Sequence, residues 1–301
     1  MRPSEITTIV LCHQAQRDVV GAVRSLLDQS TPTEILVVNS GGGSVRDRLQ
    51  AEGIKVRCLD YRNRMFVGGA RNRGIEHTTS RYVAFLASDC RALPGWVEHR
   101  LAVHEAGFRA VASAIVNRAP ASRVASAAYL GRFMHRLPGL PADRALRFGA
   151  SYDRSLFEEF GFFDERLRSG EDTEFLERLP PDLRPAWDGR IQTDHLNETK
   201  LLPLLRDQFR RGRRHGDEMR RIFGATKLRT AKNVWRERKL APRLAALGLA
   251  GDDLAAAMRA MPIVKMMLVA KAAGVMLSDF LPSETGRKDA ASLSGAVNDN
   301  H

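Results

Sequence analysis

Within its first hundred residues the chain alternates short apolar runs with segments of helical periodicity, and this alternation restricts the fold more than any other feature. Ile6 to Cys12 is the first run, and Val19, Val20, Val23, Leu26 and Leu27 then recur at helical spacing. Ile35 to Val38 is a second run, followed by glycines and a helix around Val45 to Ala51; Val56 to Leu59 and Tyr82 to Leu86 add two more. Strands separated by helices predict an α/β fold with a mainly parallel central sheet. Such sheets bind ligands at the carboxyl ends of their strands, so functional residues are expected just after each strand.

A further strand is expected over Ala110 to Val116 and another over Arg147 to Tyr152, with the segment Arg118 to Arg147 read as loop. A helix beginning near Glu171 is ended by Pro180, Pro181 and Pro185, because proline cannot continue the helical hydrogen-bond ladder. The sheet domain is expected to close near His195, giving a first domain over residues 1–199. From Lys200 the composition turns helical and basic: between Arg206 and Lys239 there are thirteen Lys or Arg and four acids. A helical extension is therefore expected over residues 200–282. The small, polar residues 283–301 are expected to be a disordered tail. The most apolar stretch, Met261 to Leu281, is interrupted by Lys265, Lys271 and Asp279, short of the roughly 18 to 20 uninterrupted apolar residues of a spanning helix.

The formal charge of +12 over 301 residues calls for an anionic partner: nucleotide phosphates, nucleic acid or a lipid surface. The three cysteines, Cys12, Cys58 and Cys90, form no CxxC pair, which argues against a disulfide framework or zinc module and fits a reducing cytoplasm. The run after Met1-Arg2-Pro3 is broken by His13 and Gln14, too early for a secretory signal, so a cytoplasmic location is expected.

Three strand ends carry candidate chemistry. In Val38-Asn39-Ser40-Gly41-Gly42-Gly43-Ser44, glycines let backbone approach a ligand and Asn39 offers a donor and an acceptor to a base edge; a flexible turn has the same composition. In Val67-Gly68-Gly69-Ala70-Arg71-Asn72-Arg73-Gly74, two glycines turn the chain into a helix whose N-terminus and Arg71 suit a phosphate, although a plain helix start reads the same way. Tyr82 to Cys90 ends on Asp89, a hard oxygen ligand for Mg2+ or Mn2+ or else a helix cap, with Cys90 as a packed small residue.

Further on stand Phe148-Gly149-Ala150-Ser151-Tyr152, Phe160-Gly161-Phe162-Phe163-Asp164-Glu165 and Ser169-Gly170-Glu171-Asp172-Thr173-Glu174-Phe175. Taken in order, these segments resemble the family two glycosyltransferases over roughly residues 5 to 215. The resemblance implies a GT-A type nucleotide-binding sandwich with a helical C-terminal extension. It also implies inverting transfer of a sugar from a nucleoside-diphosphate sugar to a hydroxyl acceptor, a carbohydrate or a lipid-linked one. Asp172 is then the general base and Glu171 an acceptor-binding or orienting neighbour, with Asn39, Ser40, Gly69, Arg71, Asn72, Ser88 and Asp89 on the donor. Asp89 and His195 would hold Mn2+ or Mg2+, and Arg210 and Arg213 of Gln208 to Arg213 would pair with diphosphate oxygens, a solvated basic helix being the other account.

Two positions depart from the family pattern. Asn39 stands where an aspartate usually reads the base, and Ala87-Ser88-Asp89 keeps only the last acid of Asp-x-Asp. A second reading is therefore a nucleotide-sugar-binding protein of the same fold. A third, nucleic-acid binding, is disfavoured because Phe209, Phe223 and Trp235 are the only aromatics in the basic segment. The basic and apolar C-terminal region either lies on an anionic membrane surface, as a peripheral protein in polysaccharide or glycolipid assembly would, or packs as an ordinary helical core.

Overall fold

The computed structural model describes residues 5–16, 18–146 and 151–278. The Phe148-Gly149-Ala150 motif and the expected tail 283–301 lie outside them. Contacts divide the chain into two units, one formed by Met1–Ala119, Phe133–Asn197 and Leu244–Gly251, the other by Pro120–Arg132, Glu198–Arg243 and Asp252–His301.

The first unit is built on one eight-stranded sheet. Its strands are β1 (Ile6–His13), β2 (Glu34–Ser40), β3 (Arg57–Asp60), β4 (Tyr82–Ala87), β5 (Cys90–Ala92), β6 (Ala110–Asn117), β7 (Ser151–Asp153) and β8 (Ala186–His195), in the order β3-β2-β1-β4-β7-β6-β8-β5. Strands β3, β2, β1 and β4 run parallel; β7 is antiparallel to both its neighbours, β6 and β8 are parallel, and β5 closes the edge antiparallel to β8.

The apolar runs of β1, β2 and β4 are continuous because both faces of the sheet are covered, as in parallel sheets generally. Ile6, Val10, Val37, Ala84 and Leu86 point to the face covered by α1 (Val19–Leu27) and α4 (Trp96–Glu105), through Val23, Leu26, Trp96 and Val97. The alternate residues Ile9, Leu36, Val38, Val83 and Phe85 point to the other face. There they meet Ala70 and Ile75 of α3 (Val67–Glu76), Leu156 and Phe157 of α6 (Ser155–Phe160) and Phe175 of α7 (Glu171–Arg178). Between β2 and β3 lies α2 (Val45–Ala51), capped by the Ser44 hydroxyl accepting from the Asp47 N–H.

Two expectations are corrected. The segment Arg118 to Arg147 is not wholly loop, for it contains α5 (Arg123–Phe133), whose Ala125 to Leu130 are buried. Its alanines, serine and glycine make no apolar stripe in the sequence. The strand expected over Arg147 to Tyr152 is described only as β7, three residues long.

The second unit carries α8 (Leu201–Phe223), α9 (Lys227–Gly248) and α10 (Gly251–Met276), the last residues of α9 falling in the first unit. Gly212 lies against the Lys271 carbonyl and Gly274 against the Phe209 carbonyl, so α8 and α10 cross where neither has room for a side chain. Among the described residues no helix is long and apolar enough to cross a membrane.

Candidate active site

The carboxyl ends of β1, β2 and β4 meet in one hydrogen-bonded set of loops. Past β1, Gln14 and Ala15 adopt left-handed φ of 55° and 46°, uncommon for residues with side chains and held here by their surroundings. The Ala15 N–H donates to Asn39 Oδ1 at 2.9 Å, the Gln14 N–H to the Ser40 carbonyl at 2.9 Å, and the Ser88 hydroxyl to Gln16 Oε1 at 3.3 Å. After β2, Gly41, Gly42 and Gly43 have φ of 83°, 90° and 76°, a run of left-handed backbone that glycine alone adopts without cost.

Asn39 does not present its amide outward as the sequence suggested. It is fully buried, and its amide nitrogen donates to the Gly42 and Gly43 carbonyls and to Asp60 Oδ1, at 3.2, 3.1 and 2.9 Å. With both amide protons engaged, the side chain shapes the glycine loop rather than reading a base edge. Ser40 is buried beside it. The exposed carboxylate of Asp60 also accepts the Val45 N–H at the start of α2, a link at the end of β3 that no sequence pattern marked.

A second cluster joins segments a hundred residues apart. The glycines of α3 do not turn the chain, since Gly68 and Gly69 lie inside the helix. A side chain at Gly68 would come within 2.8 Å of the Asp164 carbonyl, so the smallness of Gly68 admits the loop that precedes α7, while one at Gly69 would only touch the Glu165 carboxylate at 3.7 Å. Asn72 clamps that loop: its amide donates to the Phe163 carbonyl at 2.9 Å and to Glu165 Oε1 at 3.0 Å, and accepts the Phe163 N–H at 3.1 Å. Arg71 is also turned inward. Its guanidinium pairs with Glu171 Oε1 at 3.0 Å and lies over the rings of Phe85 and Phe163, 5.1 and 5.0 Å from their centroids.

With Glu171 paired to Arg71 and Glu174 to Arg178 at 2.8 Å, Asp172 is a half-exposed carboxylate in the first turn of α7, its Oδ1 accepting the Thr173 N–H at 2.9 Å. Gly170, with φ of 85°, sets the sharp entry into that helix. Beneath it Tyr152, Phe157, Phe163 and Phe175 form an aromatic floor with centroids 5.0 to 6.2 Å apart, Tyr152 meeting the three phenylalanines edge-to-face and Phe157 stacking on Phe175. The half-buried Asp164 is held down at about 2 by hydrogen bonds from the Arg166 guanidinium and its backbone N–H.

The third cluster stands at the end of β4. Antiparallel register sets Cys90 opposite His195, and parallel register sets Asn117 opposite the same histidine. His195 Nε2 lies 3.4 Å from Asp89 Oδ2, and one ligand atom from each of Asp89, Cys90 and His195 falls within 4.8 Å of the others. Two ligands at about 2.1 Å from a shared ion stand roughly 3.0 to 3.5 Å apart, so the carboxylate and imidazole fit a divalent cation. Cys90 fits it less well: burial, and then the Asp89 carboxylate, push its thiol far above the ordinary range and keep it protonated.

The Asp89 main chain is braced, its carbonyl accepting the Leu196 N–H at 3.1 Å and Arg118 Nη2 at 3.2 Å, while Arg118 also pairs with Asp194 at 2.6 Å. Arg210 and Arg213 belong to α8 in the second unit, Arg210 exposed and Arg213 half-buried.

Residues 7–160, just over half of the chain, match the family model described as Glycosyl transferase family 2. A search of curated proteins finds no match. Among solved structures, the mannosyltransferase PcManGT from Pyrobaculum calidifontis, in complex with GDP-Man and Mn2+, is similar at 13% identity and a TM-score of 0.49, over 98% of this chain and 81% of that one. TarS from S. aureus is similar at 14% identity and a TM-score of 0.49, over 88% of this chain and 55% of that one, so the chain spans about half its length. For the shorter TarS 1-349 the shares are 88% and 90%, again at 14% identity and a TM-score of 0.49.

Proposed function

Because the chain belongs to glycosyl transferase family 2 and is therefore a glycosyltransferase, we propose that it transfers a sugar from a nucleoside-diphosphate donor to a hydroxyl acceptor with inversion, using Asp172 as general base. The observation that carries this reading is the setting of Asp172: a carboxylate opening a helix whose neighbour Glu171 is neutralised by Arg71.

In this reading the Asp172 carboxylate takes the proton of the acceptor hydroxyl as that oxygen attacks the anomeric carbon. The bond from that carbon to the diphosphate oxygen breaks on the opposite face, carrying its electron pair with it. One displacement inverts the centre. A divalent cation, Mn2+ or Mg2+, held by Asp89 and His195 would offset the charge growing on the departing diphosphate. The loops past β1, β2 and β4 form the donor side, with Asn39 and Ser40 holding the backbone of Ala15 and Gln14 and Ser88 bonded to the Gln16 side chain. Asn72, Arg71 and Glu171 fix the loop and helix that carry the base.

A panel of nucleotide sugars screened by thermal shift and turnover, with and without Mn2+, tests the proposal. One donor should stabilise the protein and be consumed, and NMR of the product should show the opposite anomeric configuration from the donor. Stabilisation without turnover under every metal condition would favour a binding protein of the same fold.

We further propose that the protein works on an anionic membrane surface, in polysaccharide or glycolipid assembly with a lipid-linked acceptor. Support comes from α10, on which Met258, Met266, Val269 and Met276 are exposed at helical spacing, alongside exposed Arg259 and Lys265. Co-sedimentation with phosphatidylglycerol vesicles, absent with phosphatidylcholine, is expected. Equal recovery in the supernatant from both contradicts it.

A further inference from the structure

We propose that Asn197, braced by Asn117, is a positioning residue that sets the tautomer of His195, so that Nε2 is the nitrogen offered to the cation beside Asp89. The inference rests on the reading of Asp89 and His195 as metal ligands, and the chain of hydrogen bonds that supports it runs the other way, from the backbone outward.

It begins at an unambiguous donor. The Ala119 N–H donates to the side-chain oxygen of Asn117 at 3.3 Å, which fixes that atom as Oδ1. Asn197 Nδ2 lies 2.9 Å from Asn117 Oδ1 and 3.1 Å from the His195 carbonyl oxygen. Both are acceptors, so the amide nitrogen of Asn197 must face them; flipping the amide would set oxygen against oxygen twice. Asn197 Oδ1 then faces His195 Nδ1 at 3.1 Å. An amide oxygen only accepts, so Nδ1 carries the proton and Nε2 the lone pair.

The geometry places that lone pair where a ligand is needed. Nε2 is the nitrogen lying 3.4 Å from Asp89 Oδ2. His195 and Asn197 are both buried, and Phe133 meets the imidazole edge-to-face at a centroid distance of 4.8 Å, so the ring has little freedom to turn. Metal-bound histidines are commonly fixed in this way, by an acceptor on the other ring nitrogen, and losing it weakens metal binding. Here the acceptor is a neutral amide whose orientation is inherited from β6.

The test needs no turnover. Long-range 1H–15N correlation on protein labelled at histidine, with the His195 signals assigned by His195→Ala, should show the Nδ1–H tautomer in the metal-free wild type. Mn2+ binding, followed by the loss of the free-ion electron paramagnetic resonance signal in the presence of a nucleoside diphosphate, should weaken about 10- to 100-fold in Asn197→Leu. An Nε2–H tautomer in the wild type overturns the proposal even if Asn197→Leu fails to fold. So does Asn197→Leu binding Mn2+ as tightly as wild type while Asp89→Ala binds it weakly. If Asp89→Ala itself binds Mn2+ unchanged, the metal-site reading falls and the relay loses its purpose with it.

Discussion

The Glu171 carboxylate lies 3.0 Å from the Arg71 guanidinium, and the two side chains are only 7% and 12% exposed. One belongs to a helix packed on β1 and the other to the helix that presents Asp172, so this buried pair ties the candidate base to the sheet. Removing one partner of such a pair strands a charge.

Glu171→Ala is therefore expected to destabilise the protein by about 3 to 5 kcal/mol in urea denaturation, and to lower turnover by loosening α7. Arg71→Met with Glu171→Leu should be less destabilised than Glu171→Ala alone, since no charge is left buried. Equal stability of Glu171→Ala and wild type would contradict the pair's role.

Asn72→Ala removes the acceptor of the Phe163 N–H and the donor to the Phe163 carbonyl. Leaving both backbone groups unsatisfied in a buried loop costs about 2 to 4 kcal/mol. Asn72→Asp should not rescue it, because a carboxylate cannot donate to the Phe163 carbonyl and would face the Glu165 carboxylate. Thermal denaturation of the two variants checks this.

Gly74→Ala puts a methyl group 2.5 Å from Ile9 Cγ2. Overpacking of this kind costs about 1 to 3 kcal/mol, which outweighs the gain of about 1 kcal/mol from helix propensity. In an Ile9→Ala background the same change should become neutral or stabilising, and a double-mutant cycle in urea reads the reversal.

His104 gives a pH dependence. Burial holds its imidazole down to about 4, against 6.5 for the exposed group, while its nitrogens bond the Phe108 carbonyl and the Ser151 hydroxyl and its ring stacks on Tyr82. The unfolded chain takes up a proton below pH 6.5 while the folded one does not, so stability present above pH 6.5 is lost as pH falls toward 4. The loss reaches about 3 kcal/mol, and His104→Gln should flatten that part of the stability profile measured by urea denaturation.

The doubly covered strands and the helix over Val45–Ala51 were readable because apolar runs and helical spacing mark them directly. The short edge strand Cys90–Ala92 was not, because three residues carry no period, and Ala186–His195 is too polar to mark itself. It pairs along β6, its register skipping from Asp188 to Gln192. At the candidate site Asp89 stood out by its place after a strand, whereas Asp172 and His195 were singled out through the resemblance to the family two glycosyltransferases. What the sequence left unread is direction: Asn39, Arg71 and Asn72 spend their polar groups inward, and Asn117 and Asn197 carry no pattern.

The measurement that bears most directly on the account is the turnover of Asp172→Asn with a donor identified by thermal shift. A general base contributes about 10²- to 10⁴-fold, so turnover should fall by that factor while the donor still stabilises the variant as it does the wild type. Turnover within a few-fold of wild type would contradict the assignment of Asp172 as the base.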